Sequence, residues 1–570
     1  MSLAFPRPRG EPPGASAGPA AALQRFGAAI ARRWALADLA AAACLVACAA
    51  LVRWPALWTI PIFTDEGDEA LVALRIVRDH ALPLTNDDPY IGPVFNYLLA
   101  ALLWVLGPSP WLPRLLVLGV GSLTVGASYL LARELAGNVK RGRWAGLAAA
   151  LLVAVNAEQV VVNSHVAWSN CITPLFTTLG CWLLVRRPHP QPPLPNLGEG
   201  AAKKCASRNK CASRGLGSPS GLVLAGLAFG LALQTHPSVL ALLPGLLAFG
   251  LWRGRAWLRT AWPYAGAGAF VLAQAPTIAY NVRAGWLSSL AEAQRWQTFY
   301  NRGEQLDLAT YLARLGRLVY ALGAALAGLL NDRDTPPPPA WHPVLVLALI
   351  LAVVGLGWAW RRGRPLPALV CTSGLLVLPL FNGQYVPLVS NARYLAPLTP
   401  LILAAVATCA VMAFGVGSAP RHGLWAGVAV LGITSLVSLT SFYADAARDG
   451  RTNARLLASL EALESSYRPG EVVAVDRATF RDWSLTEGRL QRVFTSWLEL
   501  RGIRYAVVEV GSDGRLSGGL ADTGGLLVLA RGSVPAAERA YRLAEIASDG
   551  APGAPASSGY SIVRAAPRTT

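Results

Sequence analysis

The chain has 570 residues, 54% of them hydrophobic and only 14% charged, and its 50 Lys and Arg against 32 Asp and Glu give a net charge of +18. A soluble chain of this length carries far more charge, so the composition predicts an α-helical protein that crosses a membrane many times. The basic residues cluster at the ends of apolar segments, which is how orientation in a bilayer is set. This pattern argues against nucleic-acid binding.

The chain begins with a Pro-rich, basic segment, residues 1–33. It is too long to be the region that precedes the apolar part of a cleaved signal peptide. We therefore expect a disordered cytoplasmic tail, followed by an apolar run that is retained as the first span.

About eleven apolar segments are long enough to cross the hydrocarbon. These predicted spans lie near residues 35–57, 112–134, 143–160, 166–185, 220–235, 237–252, 260–280, 341–360, 366–381, 395–416 and 423–443. Residues 93–107 are also apolar and form either a short span or a helix lying partly in the interface. If they do not cross, nearly all the clustered Lys and Arg near span ends fall on one side, which is then the cytoplasm. The N-terminus is then inside and the C-terminus outside.

Two long loops separate these spans. Residues 187–219 are rich in Pro and Lys and contain "KCASR" twice, which predicts a disordered cytoplasmic insertion rather than a metal site. Residues 281–340 have mixed charges and aromatics, which indicate amphipathic interfacial helices on the outer membrane surface. The loops and spans together make a membrane domain over residues 34–443.

The composition changes after residue 443, so residues 444–570 are predicted to form a small extracytoplasmic α/β domain. The segments "EVVAVDR", "YAVVEV" and "LLVLAR" have the pattern of short buried strands. The segments "ARLLASLEALESSY", "QRVFTSWLELRG" and "AERAYRLAEI" have the pattern of helices. The domain contains no Gly-rich phosphate loop and no nucleophile elbow.

With this topology, polar residues converge at the outer ends of the spans. The first outer loop supplies Asp65, Glu66 and Asp68, the second His165 and Asn170, the third Gln234 and His236, and the last Arg393 and Tyr394. Each also has a structural interpretation. Asp65 and Asp68 could form a capping arrangement at the start of "EALVALRIVRD", His236 with Pro237 could mark a tight turn, and Arg393 could anchor a span end at the headgroups.

The functional interpretation joins these residues in one reaction. A carboxylate at the membrane surface can act as general base on an acceptor hydroxyl or amine. A guanidinium opposite can hold a phosphate bidentately and stabilise its charge as it leaves. This pair is what sugar transfer from a lipid phosphate requires, and a phosphate leaves without the second carboxylic acid that glycosidases need.

Four motifs strengthen this interpretation: "FTDEGDEALVALRIV", "PVFNYLLAALLWVLGPSPWLPRLLVLGVGSLTVGASYLLAREL", "NSHVAWSN" and "NARYLAPLTPLILA". They resemble the bacterial integral-membrane glycosyltransferases of the GT-C class, which include the lipid A aminoarabinose transferases, the protein O-mannosyltransferases and the RgtA/B/C/D-like sugar transferases. The resemblance covers about residues 35–443. It implies a GT-C fold and an inverting transfer of a sugar from a polyprenyl-phosphate donor.

The resemblance also implies residue roles. It makes Asp65 the catalytic base, with Glu66 beside it, although the second Asp-Glu pair leaves Asp68 as an alternative match. Arg393 is expected near the lipid phosphate, with His165 and His236 lining the cavity. Several members need no metal, and the clustered carboxylates alone do not establish a divalent cation.

The sequence therefore predicts a multi-pass glycosyltransferase of a bacterial inner membrane with its active site on the outer face. The acceptor is a lipid, a protein or a polysaccharide. The alternative is a transporter or flippase of lipid-linked sugars, which predicts internal repeats and charges at mid-membrane; the sequence has no convincing repeat.

Overall fold

The computed structural model describes residues 19–58, 64–186, 219–253, 255, 257–301, 304–329, 338–381, 394–413, 418–480, 490–517, 525–549 and 560–568. The α-helices of the membrane region are α1 (Pro19–Arg53), α2 (Thr64–Arg78), α3 (Val94–Leu106), α4 (Leu112–Ala136), α5 (Val139–Val155), α6 (Ala157–Val160), α7 (Thr173–Val185), α8 (Pro219–Thr235), α9 (Leu243–Arg253), α10 (Trp262–Ala273), α11 (Ala275–Ala284), α12 (Ser288–Tyr300), α13 (Leu308–Ala327), α14 (His342–Arg361), α15 (Leu366–Phe381), α16 (Thr399–Met412) and α17 (Ser418–Ser466). Shorter turns include a π-helical turn (Val161–His165) and 3-10 turns (Ser169–Ile172 and Pro237–Leu242).

Helices occupy every predicted span. Among the described residues, four are long and apolar enough to cross a bilayer by length and composition, Leu36–Arg53, Leu112–Ala136, Pro339–Arg361 and His422–Ala444, and the pair Val139–Val155 and Ala157–His165, bent by 68°, is a fifth if it is one span. Six further apolar helices have 10–17 residues. The prediction of a polytopic α-helical membrane protein is confirmed.

The centre of the bundle is α16, in which every side chain from Thr399 to Val411 is buried. A helix that is apolar all round must be surrounded by other helices. Helices α4, α5 and α14 supply much of this surround. The predicted span 395–416 therefore forms the core of the bundle.

Close packing between α8 and α10 depends on glycine. A Cβ added to Gly226 would lie 1.9 Å from the Gly266 carbonyl oxygen, so the two backbones touch directly. Small residues at such positions let membrane helices approach closely.

A charged cluster fastens α1, α4 and α5 together at one end of the bundle. The buried Asp38 carboxylate lies 2.6 Å from Arg133 Nη2 and 2.7 Å from Arg143 Nε, and it accepts a hydrogen bond of 3.1 Å from the Tyr129 hydroxyl. A carboxylate taken out of water needs such partners.

The chain after the last span forms a five-stranded sheet with helices. Its strands are β1 (Val473–Asp476), β2 (Tyr505–Val508), β3 (Gly525–Ala530), β4 (Tyr541–Asp549) and β5 (Tyr560–Pro567), in the order β2-β1-β3-β5-β4. Strand β1 is parallel to β2 and β3, whereas β5 is antiparallel to β3 and β4. Its helices are α18 (Leu490–Leu500) and α19 (Val534–Ala540). The predicted α/β domain, with its first three strands, is confirmed.

The segment "AERAYRLAEI" was predicted as a helix, and that prediction is wrong beyond its start. Helix α19 ends at Ala540, and residues from Tyr541 onward form β4, which pairs with β5 through an irregularity between Glu545 and Ala547. Pairing with a strand later in the chain outweighs local helix preference here, because strand formation depends on packing partners.

Three other segments differ from expectation. Residues 19–33, predicted within a disordered tail, are the first part of α1, and the predicted boundary at 443/444 lies inside the unbroken helix α17. Helix α13 was expected at the interface, but its residues Ala321–Ala327 are buried among the spans, where small Ala and Gly side chains permit close packing. The predicted insertion over 187–219 lies outside the described residues up to 218.

The packing of α18 against α2 constrains the topology. The two helices lie on the same side of the membrane, so an even number of crossings separates them. Ten of the about eleven predicted spans follow α2, which is an even number. Helix α3 has 13 residues and is about 20 Å long, shorter than the hydrocarbon thickness of about 30 Å.

Candidate functional site

Helix α2 carries the acidic motif and lies between α3, α4 and α18. Its apolar face, including Ala70, Ala73 and Leu74, is buried against Phe95, Leu99 and other side chains. These residues recur at helical spacing in "EALVAL", which is why the segment folds as an amphipathic helix. Glu66, in the first turn of α2, lies on the same face as Ala70, beside Trp497 and Leu500 of the C-terminal domain.

Glu66 is held in a buried bidentate ion pair. Arg114 at the start of α4 donates from Nε and Nη2 to the two Glu66 carboxylate oxygens, each at 3.0 Å, and both side chains are only 4% exposed. Arg114 Nη1 also donates to the Leu57 carbonyl oxygen at 2.6 Å. Planar pairing of this kind fixes orientation as well as charge. One guanidinium therefore ties the end of α1, the start of α2 and α4 together.

Glu69 anchors α2 one turn after Glu66. Its carboxylate accepts hydrogen bonds from the Ser169 backbone N–H at 2.8 Å and from the Ser169 hydroxyl at 3.0 Å. Asn86 Nδ2 lies 3.4 Å from the same hydroxyl. The acidic helix is thus fixed to the loop before α7 and to the loop between α2 and α3.

The two aspartates of the motif occupy the first turns of α2. Asp68 is half-buried, and Asp65 is the second residue of the helix. The Asp65 side chain lies outside the described part of the chain, so its predicted role as base stays a prediction.

His165 lies at the end of the π-helical turn with its ring fully buried. Its Nδ1 is 2.9 Å from the Ser164 hydroxyl, and its Nε2 is 2.8 Å from the Pro55 carbonyl oxygen. The bend that produces this turn begins at Asn156, whose side-chain oxygen accepts from the Gln159 N–H at 3.0 Å. The ring therefore holds the chain after α1 in place. Asn170, also buried, lies in the next turn.

A second group of predicted residues surrounds an open cavity of about 250 Å³. His236 and Tyr394 both line it, with their rings edge-on at 5.3 Å between centroids. His236 Nδ1 accepts from the Ser238 N–H at 3.1 Å, which makes Nε2 the protonated nitrogen of the neutral ring. Most of the lining is apolar, with Trp296 and Phe381 among its side chains.

Gln234 lies beside this cavity, where its amide donates to Gln274 Oε1 at 3.0 Å and to the Thr277 hydroxyl at 2.8 Å. Both partners line the cavity. Arg393, predicted near the lipid phosphate, lies outside the described residues, but it directly precedes Tyr394 in the chain.

The loop between α2 and α3 joins the two groups. Asn86 contacts Ser169 on the Glu69 side, Tyr90 lines the cavity, and a Cβ on Gly92 would lie 1.7 Å from Gln234 Oε1. A Cβ at Gly92 would therefore displace the Gln234 side chain from its present position. The structure thus connects the carboxylate helix and the cavity through a single short segment.

No group of three or more His, Cys, Asp or Glu side chains that could hold a metal ion exists within the described ranges. The carboxylates there are engaged by Arg114 and Ser169 instead. These carboxylates therefore do not form a ligand set for the divalent cation considered from the sequence.

Sequence reasoning missed Arg114 and the aromatic contacts of the C-terminal domain. A lone Arg just inside an apolar segment is typical of a headgroup anchor, and its partner lies 48 residues earlier in the chain. A usable signal was its position at the start of the span that directly follows a motif with four carboxylates.

No family model and no curated protein matches the sequence. Among solved structures, the chain is similar to ArnT from Cupriavidus metallidurans bound to undecaprenyl phosphate, with 15% identity over 93% of this chain and 97% of that chain and a TM-score of 0.52. The same ArnT in its apo state has 14% identity over 94% and 98%, with a TM-score of 0.49. The archaeal oligosaccharyltransferase AglB from Archaeoglobus fulgidus has 13% identity over 80% and 63%, with a TM-score of 0.41.

At these identities the likeness concerns the fold. The similarity to the first of these neighbours covers nearly the whole of both chains, including most of the C-terminal domain. The chain therefore has the ArnT-like GT-C fold that the resemblance predicted, in a multi-pass membrane protein.

Proposed function

We propose that the chain is an inverting membrane glycosyltransferase that moves a sugar from a polyprenyl-phosphate donor to a lipid, protein or polysaccharide acceptor. One observation carries this proposal: on an ArnT-like fold, a fixed acidic helix and an open, mostly apolar cavity are joined by the Asn86–Gly92 loop. The undecaprenyl phosphate bound to the ArnT neighbour supports a lipid carrier of this type.

Asp65 is the general base of the proposed reaction. Glu66, its neighbour in the motif, accepts hydrogen bonds from Arg114 on both carboxylate oxygens, so those oxygens are already engaged within the protein. Glu66 instead fixes the start of α2, and Asp65 directly precedes it. Asp68, half-buried one turn later, is the alternative base.

The cavity beside Tyr394 holds the donor. Its volume of about 250 Å³ is near the lower end of small-molecule pockets, about 300 Å³. Its apolar lining suits a prenyl chain, and the His236 Nε2–H is a donor for phosphate oxygen. Arg393 holds the leaving phosphate, since its chain neighbour Tyr394 lines this cavity.

The reaction is a single displacement. Asp65 takes the proton of the acceptor hydroxyl or amine, the freed electron pair attacks the anomeric carbon, and the carbon–oxygen bond to the phosphate breaks. The polyprenyl phosphate leaves with that electron pair, which Arg393 stabilises. Attack opposite the leaving group inverts the anomeric carbon.

The site faces the outside of a bacterial inner membrane. Basic clusters such as residues 133–143 and 361–364 support this orientation, because they fall at the opposite ends of the spans from α2. The membrane domain of residues 34–443 carries the reaction, and residues 444–570 lie on its outer side. Reporter fusions at residues 90, 200 and 400 test this, since only the fusion at 200 is expected to be cytoplasmic.

A transfer assay tests the activity. Purified full-length protein is given a panel of polyprenyl-phosphate sugars with lipid, peptide and polysaccharide acceptors, and released polyprenyl phosphate is measured. We expect Asp65→Asn to lose at least 100-fold in turnover, since a positioned general base contributes about 10²–10⁴-fold. Asp68→Asn is the matched control and should stay within about fivefold.

Near-normal turnover by Asp65→Asn would contradict the assignment of the base, and loss in Asp68→Asn alone would move it to the second pair. If vesicles containing the protein move a lipid-linked sugar across the bilayer without releasing polyprenyl phosphate, the protein is the transporter or flippase of the alternative hypothesis.

A further inference from the structure

We propose that the C-terminal domain is a positioning part of the active site: helix α18, through Trp497, holds the acidic helix α2 in its working position. This inference rests on the proposed glycosyltransferase function for its catalytic consequence, but not for its structural one. It assigns a role to a domain whose own sequence carries no catalytic motif.

Helix α18 contacts α2 along its length rather than at one point. Leu500 of α18 is buried in the same apolar cluster as Ala70, Ala73 and Leu74 of α2. At the other end of α2, Arg78 donates a hydrogen bond to the Glu499 carbonyl oxygen. The domain thus shares a hydrophobic core with the acidic helix.

Trp497 extends this contact through a row of aromatic rings that pack edge-on. Its ring is 2% exposed and packs edge-on against Trp111 just before α4, at 4.9 Å between centroids. Trp111 packs against Trp58 after α1 at 4.7 Å, and Trp58 lies 6.4 Å from Trp54. Edge-on aromatic pairs stabilise a contact beyond the burial of their surface. The row connects α18 to the end of α1 and the start of α4, two of the three helices that Arg114 joins.

The row also covers the Glu66–Arg114 ion pair. A small space of about 30 Å³ is lined by Trp58, Trp111 and Trp497 together with Glu66, Arg114 and Ser496 of α18, and both charged side chains are only 4% exposed. A space of this size holds one or two water molecules at most. Helix α18 therefore excludes bulk water from the pair that fixes the first turn of α2, and exclusion of water strengthens such a pair.

The physical consequence is a coupling between domain docking and the catalytic base. Removing the Trp497 ring opens the ion pair to water and loosens the turn that carries Asp65. Small displacements of a catalytic group, about 1 Å, cost up to 100-fold in rate. The donor cavity is lined by other elements, such as α12 and α15, so donor affinity should be preserved.

The test combines hydrogen exchange with kinetics on the full-length protein in lipid nanodiscs. The variants are Trp497→Ala, Trp497→Phe and the matched control Phe494→Leu, one turn earlier on α18. Phe494 is fully buried, but its ring packs edge-on against Tyr560 of the sheet, at 5.1 Å between centroids. Its loss therefore lowers the stability of the domain itself.

We expect Trp497→Ala to speed amide exchange in residues 66–78 by about tenfold or more and to lower kcat about tenfold or more, with the donor KM within twofold. Trp497→Phe should recover most of both. Phe494→Leu should lower the Tm of the domain, yet leave amide exchange in residues 66–78 and kcat close to wild type. Unchanged exchange in Trp497→Ala, or equal effects in Phe494→Leu, would overturn the proposal.

A second pair of variants covers the case in which Trp497→Ala does not fold. Arg78→Ala removes the hydrogen bond to Glu499, whereas Arg75→Ala removes the same charge from the same turn of α2. Only Arg78→Ala should speed exchange in α18, and equal exchange in the two variants contradicts the coupling. If wild type transfers no sugar from any donor, the proposed function fails, while the exchange measurements still decide the docking.

Discussion

The two ends of the helical bundle each bury one carboxylate against arginine, and they do so differently. At one end Glu66 is paired with Arg114, and both side chains are only 4% exposed. At the other end Asp38 is shared between Arg133 and Arg143, which are 24% and 26% exposed. The first arrangement is rigid and intolerant of change, whereas the second retains access to water. The intolerant pair lies at the candidate site.

The largest expected effect comes from breaking the enclosed pair. Arg114→Ala leaves the Glu66 carboxylate buried without its partner, which costs about 3–5 kcal/mol. Thermal unfolding in detergent should show a correspondingly large fall in Tm. The double variant Glu66→Gln/Arg114→Met should recover much of it, because no buried charge then remains. A single variant as stable as wild type would show that the pair does not stabilise this end.

The shared cluster should tolerate its change better. Asp38→Asn removes the charge from hydrogen bonds to two arginines, an effect of about 2 kcal/mol, and the partly exposed guanidiniums can turn to water. In the same thermal unfolding measurement, the Tm of Asp38→Asn should be clearly higher than the Tm of Arg114→Ala. If Asp38→Asn proves the more destabilising of the two, the contrast between the ends is reversed.

A neutral partner gives a smaller effect again. Ser169→Ala removes the hydroxyl bond to the Glu69 carboxylate but keeps the backbone N–H bond of 2.8 Å, so we expect a loss of about 1.5 kcal/mol, at the lower end for a hydrogen bond to a charged group. Chemical unfolding of Ser169→Ala beside Glu69→Gln would measure how much of the anchoring comes from charge. A loss above about 3 kcal/mol would show that the hydroxyl has a further role.

The smallest effect is a pH dependence in the C-terminal domain. Burial and the hydrogen bond to Glu499 raise the pKa of Tyr505 to about 12. The folded state therefore favours the neutral hydroxyl, and its contribution is complete below pH 10, the ordinary Tyr value, and is lost as the pH rises to about 12. The free energy of unfolding of the domain, measured between pH 8 and 12, should fall in this window for wild type and should fall less for Tyr505→Phe.

Local pattern predicted α2 and the helical spans because each element buries a periodic apolar face that its own residues define. It predicted β1, β2 and β3 for the same reason. Strand β4 could not be found this way, since only its pairing with β5 distinguishes it from a helix. The error arose where a partner distant in sequence decides the structure.

The candidate site was predictable in its residue types but not in its arrangement. The motif indicated a cluster of carboxylates, and Arg114 follows it at the start of the next span, yet local pattern does not assign Arg114 to Glu66 or His165 to the Pro55 carbonyl oxygen. Buried polar groups select partners by geometry, and this geometry appears only when helices distant in sequence pack together.

Helix α17 continues from the last apolar segment into the C-terminal domain over 49 residues, a length of about 74 Å. An unbroken helix has no hinge at the membrane surface, and the Trp497 contact provides a second attachment far from the first along the chain. A domain attached at two such places cannot rotate away from the bundle about a single hinge. The C-terminal domain therefore keeps a fixed position against α2 and the ends of the bundle helices beside it.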